Sequence, residues 1–362
     1  MPGTIRKYFT CANSSKGFVN YFSSSLEGME KIYILKGGPG TGKSTLMKKI
    51  GNYFLDKGED VEYIYCSSDA SSLDGVIICG KKAAIVDGTA PHVIEPQVPG
   101  AIEEYVNLGD AWDGKKLQGE KEKIRTIKHQ ISYCYDVVYQ LMKDAKTVHD
   151  AWEQVYVTNT DYEKLNQVSE EFVQKLLNGC MEETQGTVTD RFFGATTPDG
   201  SVNYIENLTG DLEKRYFIKG RPGTGKSTLL KKLASQAQNK GLDVEVYHCS
   251  FDPDSLDMVI MRGLGVCVFD STAPHELFPS RDTDEIIDLY EAAVKEGTDE
   301  DNAAVLAVLE KQCGDLNAKA REQLGMIHTL HDELEKPYIA AMDFKVIDKK
   351  TKELIKKIAK LD

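Results

Sequence analysis

The strongest indication of fold in this sequence is the segment Gly37-Gly38-Pro39-Gly40-Thr41-Gly42-Lys43-Ser44-Thr45. Its glycines allow consecutive backbone N–H groups to converge on one anion. The apolar run Lys31 to Leu35 before it is typical of a buried strand, and the residues from Ser44 to Leu55 favour a helix. A strand, a glycine-rich turn and a helix N-terminus in this order predict a phosphate-binding loop. A glycine-rich turn that binds no phosphate is the alternative.

Two side chains of this stretch have chemistry that suits a nucleotide. The Lys43 ammonium has the reach to contact the β- and γ-phosphates, and the Ser44 hydroxyl is a ligand for Mg²⁺. We therefore take every residue from Gly37 to Thr45 as a candidate nucleotide-binding residue and Lys43 also as a catalytic one.

The same motif returns 183 positions later as Gly220-Arg221-Pro222-Gly223-Thr224-Gly225-Lys226-Ser227-Thr228. Matches at this offset extend well beyond the motif: Cys66 with Cys249, Asp69 with Asp252, Asp87 with Asp270, and Thr89-Ala90-Pro91-His92 with Thr272-Ala273-Pro274-His275. With one residue dropped they continue further: His149-Asp150, Glu153 and Tyr156 with His331-Asp332, Glu335 and Tyr338. The chain is therefore an internal duplication. We predict repeats over residues 1–183 and 184–362, and an intramolecular pseudo-dimer is a possible arrangement.

Asp87 and Asp270 each end an apolar run that predicts a strand. An aspartate in this place holds the hydrated Mg²⁺ of nucleotide hydrolases, and an ordinary strand followed by an aspartate turn is the alternative. The next residues are Gly88 and Ser271, so the glutamate that often activates water here is missing from its usual place. We expect either another residue to supply that group, with His92 and His275 as candidates, or these histidines to serve in capping and packing.

Asp69 and Asp252 follow the second predicted strand of each repeat. Ligands bind beyond the carboxyl ends of strands in parallel sheets, so these carboxylates are candidates for a general base or a ligand of a substrate hydroxyl. Helix capping is the alternative.

The remainder of each repeat reads as a helical appendage, over about residues 115–178 and 298–362. We expect long helices, in a hairpin, with breaks at Asp161-Tyr162 or Pro337-Tyr338. Residues 95–114 favour a loop with one short helix. His149 and Glu153 share one helical face, where a solvated surface is a more ordinary explanation than a metal site.

Composition restricts the function further. The net charge of −13 argues against a general nucleic-acid binder. No apolar run is long enough to span a membrane, and the first residues lack the apolar core of a signal peptide. The 8 cysteines form no Cys-x-x-Cys pair, which favours neither disulfides nor zinc and fits a reducing cytoplasm.

Both halves resemble P-loop NTPases through Gly37–Thr45 with Asp87 and Gly220–Thr228 with Asp270, and their tandem order looks like an uncharacterised family of bacterial double P-loop ATPases. The resemblance implies an α/β fold with two duplicated cores, each a parallel sheet flanked by helices, that bind ATP or GTP with Mg²⁺. It implies that Lys43 and Lys226 stabilise phosphoryl charge, and that Ser44, Asp87, Ser227 and Asp270 serve the metal. No Asn-Lys-x-Asp guanine reader is present, which favours ATP.

The leading hypothesis is an ATPase, cytoplasmic and Mg²⁺-dependent, whose nucleotide state moves the helical appendages or recruits a protein partner. The first alternative is a nucleotide or small-molecule kinase in which Asp69 or Asp252 takes the proton of an acceptor hydroxyl. The second is a nucleotide sensor that does not hydrolyse. Arg221 stands where the first loop has Gly38, and we consider it either an arginine finger across the pseudo-dimer interface or a residue that biases the second site.

Overall fold

The computed structural model describes residues 2–180, 184–198 and 200–361. It contains two mixed six-stranded sheets flanked by helices, one from each half of the chain. The α/β class and the presence of two equivalent cores therefore agree with the prediction from sequence. Among the described residues, no helix combines the length and the apolar composition that crossing a bilayer requires.

The first half supplies eight strands and five helices. In chain order they are β1 (Ile5–Phe9), β2 (Cys11–Ser14), β3 (Gly17–Asn20), α1 (Phe22–Ser25), β4 (Lys31–Lys36), α2 (Lys43–Leu55), β5 (Val61–Cys66), β6 (Asp69–Ile78), β7 (Ala83–Asp87), β8 (Glu103–Asn107), α3 (Gly114–Gly119), α4 (Lys121–Val157) and α5 (Tyr162–Leu176). The predicted loop over 95–114 thus holds a strand, β8, followed by a short 3₁₀ turn, Leu108–Ala111.

The second half repeats this order. It comprises β9 (Val188–Arg191), β10 (Gly194–Thr197), β11 (Gly200–Asn203), α6 (Ile205–Thr209), β12 (Lys214–Lys219), α7 (Lys226–Asn239), β13 (Val244–His248), β14 (Leu256–Met261), β15 (Val266–Asp270), β16 (Glu285–Asp288), α8 (Leu289–Ala293), α9 (Thr298–Asp301), α10 (Ala303–Ala341) and α11 (Phe344–Ile358).

The two sheets have the same strand order, β1-β5-β6-β7-β4-β8 and β9-β13-β14-β15-β12-β16. The expectation of a parallel sheet was wrong in one respect, because β6 and β14 run antiparallel to both neighbours. The chain turns from β5 into β6 within a few residues, which is too short for the crossover that a parallel pair needs. Neither strand was predicted from the sequence, because β6 begins with polar residues that resemble a turn and the apolar run of β14 gives no direction.

The strand and helix around the glycine-rich motif form where the sequence predicts them. β4 buries its four central residues, Ile32 to Leu35, and lies between β7 and β8 in the sheet. α2 buries Leu46, Met47, Ile50 and Phe54 on one face against that sheet. This spacing is that of an amphipathic helix, so the motif is clamped between two buried elements.

The two sheets meet edge to edge at β1 and β9. Phe9 and Phe192 exchange both backbone hydrogen bonds, at 2.9 and 2.8 Å. These two residues are equivalents in the duplication, so an approximate two-fold axis passes between them, as in an isologous dimer interface. A single apolar cluster spans both halves, with Ile34 and Val86 from the first and Phe217 and Tyr247 from the second.

The long helices α4 and α10 pack along each other through an apolar seam that includes Val138, Met142, Leu324 and Ile327. The expected break at Asp161 is confirmed, since its carboxylate accepts the N–H groups of Glu163 and Lys164 and begins α5. The expected break at Pro337 was wrong. Pro337 is buried inside α10, where the packed environment maintains the helix despite the missing N–H group.

Each helical appendage packs on the core of the other half. In α11, Ile347 and Leu354 join the apolar cluster of α2, and in α5, Leu165 and Val173 join that of α7. The boundary between the repeats at residue 183 stays a prediction. The two halves exchange their C-terminal helices, so each packed core contains a helix from the other half.

Candidate functional site

The two glycine-rich segments, loop 1 (residues 37–45) and loop 2 (residues 220–228), have the same backbone. Gly40 and Gly223 have φ values of +66° and +80°, and the glycines two positions later are also left-handed. A side chain at Gly40 or Gly223 would be strained in this conformation. The Thr41 and Thr224 hydroxyls close each loop by donating to the carbonyl oxygens of residues 38 and 221. The retained glycines are therefore explained by the loop geometry.

The lysine of each loop lies between the loop and the end of the strand beside it. Lys43 Nζ donates to the carbonyl oxygens of Gly37 and Gly38 at 3.1 and 2.8 Å and lies 3.5 Å from Asp87 Oδ2. Lys226 Nζ donates to Arg221 O at 2.9 Å and lies 3.6 Å from Asp270 Oδ2. Both ammonium groups are thus held at the loop mouth beside a carboxylate.

Each loop has a hydroxyl next to its lysine in the sequence and a carboxylate facing that lysine, and both groups suit Mg²⁺. Asp87 Oδ1 accepts from both the N–H and the hydroxyl of Thr89, which leaves Oδ2 facing Lys43. Ser44 is in the first turn of α2, and its Oγ accepts the Leu73 N–H at 3.0 Å. Thr272, Ser227 and Leu256 repeat these contacts in the second half. A hydroxyl and a carboxylate are hard oxygen donors, so this set fits Mg²⁺.

Asp69 is the first residue of β6, directly after the turn from β5, and no helix begins there, so the helix-capping alternative was wrong. Its carboxylate accepts the Ser71 N–H at 2.9 Å and the Ser72 hydroxyl at 2.5 Å. Burial would raise the pKa of Asp69, but these hydrogen bonds outweigh it and lower that pKa. Asp252 of the second half lies 3.4 Å from the ammonium of Lys146, which belongs to α4.

His92 and His275 follow the last residues of β7 and β15 by five positions and pack against aromatic rings. His92 is buried, with its ring edge against Phe18 and Phe22 and Nε2 at 3.4 Å from Asp74 Oδ2. His275 packs against Phe193, with Nε2 at 3.9 Å from Asp257 Oδ2. This arrangement favours the packing alternative for both histidines, and their catalytic role stays a prediction.

Arg221 faces outward from loop 2. Its guanidinium pairs with Asp299 at 2.8 Å, and the Tyr156 hydroxyl donates to the other oxygen of that carboxylate. Asp299 belongs to the same half as Arg221, so the side chain engages its own half and is not extended towards loop 1. This placement gives no support to the arginine-finger alternative.

One neighbour of loop 1 was not predicted from the sequence: the C-terminal part of α10, which belongs to the other half of the chain. The Gly40 N–H donates to Glu335 Oε1 at 3.2 Å. A Cβ atom placed on Gly38 would come within 2.6 Å of the Tyr338 ring, and one on Gly40 within 2.9 Å of Ile339. The helix therefore lies in close contact with the loop backbone and places a carboxylate on one of its amides.

The equivalent part of α4 covers loop 2. A Cβ atom on Gly223 would come within 2.6 Å of the Glu153 carbonyl oxygen, and His149 Nδ1 lies 3.7 Å from Glu153 Oε1. The interpretation of His149 and Glu153 as a solvated face was therefore wrong, since both lie half-buried in contact with the other half. The repeated set His149-Asp150, Glu153 and Tyr156 was the available signal, because it matches across both halves outside the loops.

Burial changes the acidity of the groups that α4 and α10 bring to the loops. It raises the pKa of the Glu335 and Glu153 carboxyls, against the opposing effects of the Gly40 N–H and Lys146. It lowers the pKa of His149, and Lys146 adds to that effect. Shifted pKa values of this kind occur more often at functional sites than elsewhere on a protein.

Comparison with known proteins gives one partial match. The family model described as Nephrocystin 3, N-terminal, matches residues 15–77, a range that contains loop 1 together with β4, α2 and β5. No curated protein and no solved structure matches the chain.

Proposed function

We propose that this protein binds ATP with Mg²⁺ at both loops and hydrolyses it, as a tandem P-loop ATPase. The observation that carries the proposal is the geometry that the two halves share. In each, a lysine Nζ bonded to the loop carbonyls stands about 3.5 Å from the aspartate at the end of the adjacent strand, beside a serine hydroxyl at the helix N-terminus. Two copies of one such arrangement in one chain favour a shared chemical task.

The loop amides support an anionic ligand. The Gly40 N–H already donates to a carboxylate oxygen, so this part of the loop attracts negative charge. Lys43 and Lys226 would then contact the terminal phosphates and stabilise the charge that develops there. Ser44 with Asp87, and Ser227 with Asp270, would hold Mg²⁺, which bridges phosphate oxygens and neutralises part of their charge.

The contacts between α10 and loop 1 support coupling of nucleotide binding to the long helices. Tyr338 and Glu335 touch the loop backbone, and α10 packs along the whole of α4. A ligand that repositions the side chains at one loop therefore acts directly on the helix pair that joins the two halves. We propose that the nucleotide state is communicated to a partner, or between the loops, through this pair.

The test is phosphate release from Mg·ATP by the purified protein. We expect Lys43→Ala and Lys226→Ala each to remove about half of the turnover and the double variant to remove all of it, since each lysine serves one loop. Lys49→Ala is the matched control: it lies on the same helix as Lys43, and its ammonium makes only a half-exposed pair with Asp348. Wild-type turnover that persists in the double variant would overturn the proposal.

The same assay with acceptors separates hydrolysis from phosphotransfer. Steady phosphate release without an acceptor supports the ATPase. Rapid ADP formation only after a nucleoside monophosphate or another hydroxyl acceptor is added would make the protein a kinase. Nucleotide binding without turnover under both conditions would make it a sensor.

A further inference from the structure

Each loop receives a carboxylate from the other half of the chain. At loop 1 the Glu335 carboxylate is fixed on the Gly40 N–H, and Tyr338 and Ile339 hold the surrounding turn of α10 against the loop. Glu335 is half-buried here, and Lys43 and Asp69 are charged neighbours of its carboxyl. This carboxylate therefore lies among the groups that the proposed function assigns to the terminal phosphates.

The second half of the structure repeats the arrangement with the roles of the two halves exchanged. The α4 backbone passes over Gly223 at Glu153, and the Glu153 carboxylate has His149 beside it and Lys226 as a charged neighbour. Glu153 and Glu335 are equivalents in the duplication. Glu335 contacts loop 1 through its carboxylate and Glu153 contacts loop 2 through its backbone, but the same helix turn approaches the loop in both halves. This repetition argues against an accident of helix packing.

A carboxylate is also the group that the position directly after the strand aspartate does not supply. Asp87 is followed by Gly88, and Asp270 by Ser271, so neither strand end provides a second acid for water. A Cβ placed on Gly88 would come within 2.2 Å of Ile34, so a larger residue has no room there. The residue after Asp87 therefore supplies no acid at loop 1, whereas α10 of the other half brings one.

We propose that both sites are completed in trans: Glu335 of the second half is the catalytic carboxylate at loop 1, and Glu153 of the first half is the catalytic carboxylate at loop 2. This assignment rests on the proposed ATPase function. The water oxygen bonds to the γ-phosphorus while the bond from that phosphorus to the β,γ-bridging oxygen breaks, and ADP leaves with the electron pair. The water proton passes to the glutamate carboxylate and from there to the released phosphate.

The chemistry of these carboxyls suits that role. A general base works best when its pKa approaches the working pH, and burial moves both glutamates in this direction. The competing interpretation is that Glu335 merely mimics a phosphate on the Gly40 N–H. In that case its removal would tighten nucleotide binding and leave turnover per site unchanged.

The test pairs each glutamate with each lysine. Lys226→Ala leaves loop 1 as the working site, and Lys43→Ala leaves loop 2. We expect Glu335→Gln to lower the turnover of the Lys226→Ala protein about 100-fold, and Glu153→Gln to lower that of the Lys43→Ala protein by a similar factor. The amide keeps an oxygen that accepts the Gly40 N–H, so KM and the affinity for a fluorescent ATP analogue should stay within about threefold.

Glu333→Gln on α10 and Glu122→Gln on α4 are the matched controls, because both side chains are exposed and pair only with a neighbouring turn of their own helix. Melting temperatures check that every variant is folded.

Three results would overturn the assignment. The first is a loss of turnover in the opposite pairings, Lys226→Ala with Glu153→Gln and Lys43→Ala with Glu335→Gln, which would place each glutamate at the loop of its own half. The others are tighter nucleotide binding with normal turnover, and single-lysine variants that bind nucleotide but never hydrolyse it. A wild-type protein that binds no ATP analogue would instead refute the proposed function itself.

Discussion

Loop 1 and loop 2 hold their lysines in the same way, yet their second residues meet different surroundings. Gly38 lies under the Tyr338 ring, whereas Arg221 points outward to Asp299. The aspartate after the second strand also differs in environment: Asp69 is bonded within its own turn, while Asp252 is paired with Lys146 from the other half. The contacts within the two loops are thus repeated, and those at their borders have diverged.

The junction of the two halves shows the same divergence on the pseudo-two-fold axis. Tyr8 and Arg191 are equivalents in the duplication, and the Arg191 guanidinium stacks 4.1 Å from the Tyr8 ring. Both bond to Glu62, and Arg191 also lies 3.8 Å from Glu245, the equivalent of Glu62. One chain with an internal axis can use a different residue on each side, which a homodimer cannot. One buried arginine therefore serves two buried glutamates.

The largest stability effect is expected at this arginine. Arg191→Met would leave the buried Glu62 with only the partly exposed Arg6 as a cation, at 3.5 Å, whereas Glu245 keeps its pair with Arg262. The change should destabilise the protein by about 3–5 kcal/mol. Tyr8→Phe removes only the hydrogen bond to Glu62 and should cost about 1 kcal/mol. Urea unfolding at pH 7 measures both. An equal cost for the two variants would show that the axis is more symmetric than the contacts imply.

A second difference between the halves lies near the start of β4 and β12, the strands that precede the loops. Ile32 of β4 corresponds to Arg215 of β12. Arg215 and Asp284 are fully buried and form a bidentate pair at 2.9 and 2.6 Å. This pair, with the backbone N–H groups of Ser280 and Arg281, lowers the pKa of Asp284 to about 2. The ionised Asp284 therefore stabilises the native state above about pH 4, and that contribution is lost as the pH falls towards 2.

We expect Asp284→Asn to destabilise the protein by about 3 kcal/mol at neutral pH, because it leaves the buried Arg215 guanidinium with only the exposed Glu206 carboxylate as a counterion. The gap in unfolding free energy between this variant and the wild type should narrow between about pH 4 and pH 2. Unfolding curves across that range provide the measurement. A gap that does not depend on pH would contradict the assignment of the acid-sensitive contribution to this pair.

A smaller effect should distinguish the two loops. Gly223→Ala places a Cβ against the α4 backbone at 2.6 Å, whereas Gly40→Ala places one mainly against the Ile339 side chain at 2.9 Å. Both changes carry backbone strain of about 1–3 kcal/mol, but the α4 backbone yields less readily, so Gly223→Ala should be the more damaging. Thermal unfolding and nucleotide affinity measure this.

Gly314→Ala is the control for that comparison, because it lies in α10 with open space around it and should be neutral or slightly stabilising. A reversed order for the two loop glycines would mean that α10, and not α4, is the more rigidly held helix.

The local elements were predictable because their causes are local. Loop 1, β4 and α2 follow from glycine spacing, an apolar run and an amphipathic pattern within 25 residues. The antiparallel β6 was not predicted, since its polar start, Asp69, resembles a turn and its apolar part gives no direction. The contact of Glu335 with Gly40 joins residues 295 positions apart and depends on which half each appendage covers. Periodicity within one helix contains no information on that exchange.

Isothermal titration with a non-hydrolysable ATP analogue and Mg²⁺ measures how many nucleotides one chain binds, and so tests whether the chain has two equivalent nucleotide sites. We expect two bound nucleotides per wild-type chain, one per chain in the Lys43→Ala variant and in the Lys226→Ala variant, and none in the double variant. Binding that requires Mg²⁺ would further support the roles of Ser44, Asp87, Ser227 and Asp270. A wild-type chain that binds no nucleotide, or one whose binding survives the loss of both lysines, would contradict the proposal of two equivalent nucleotide sites.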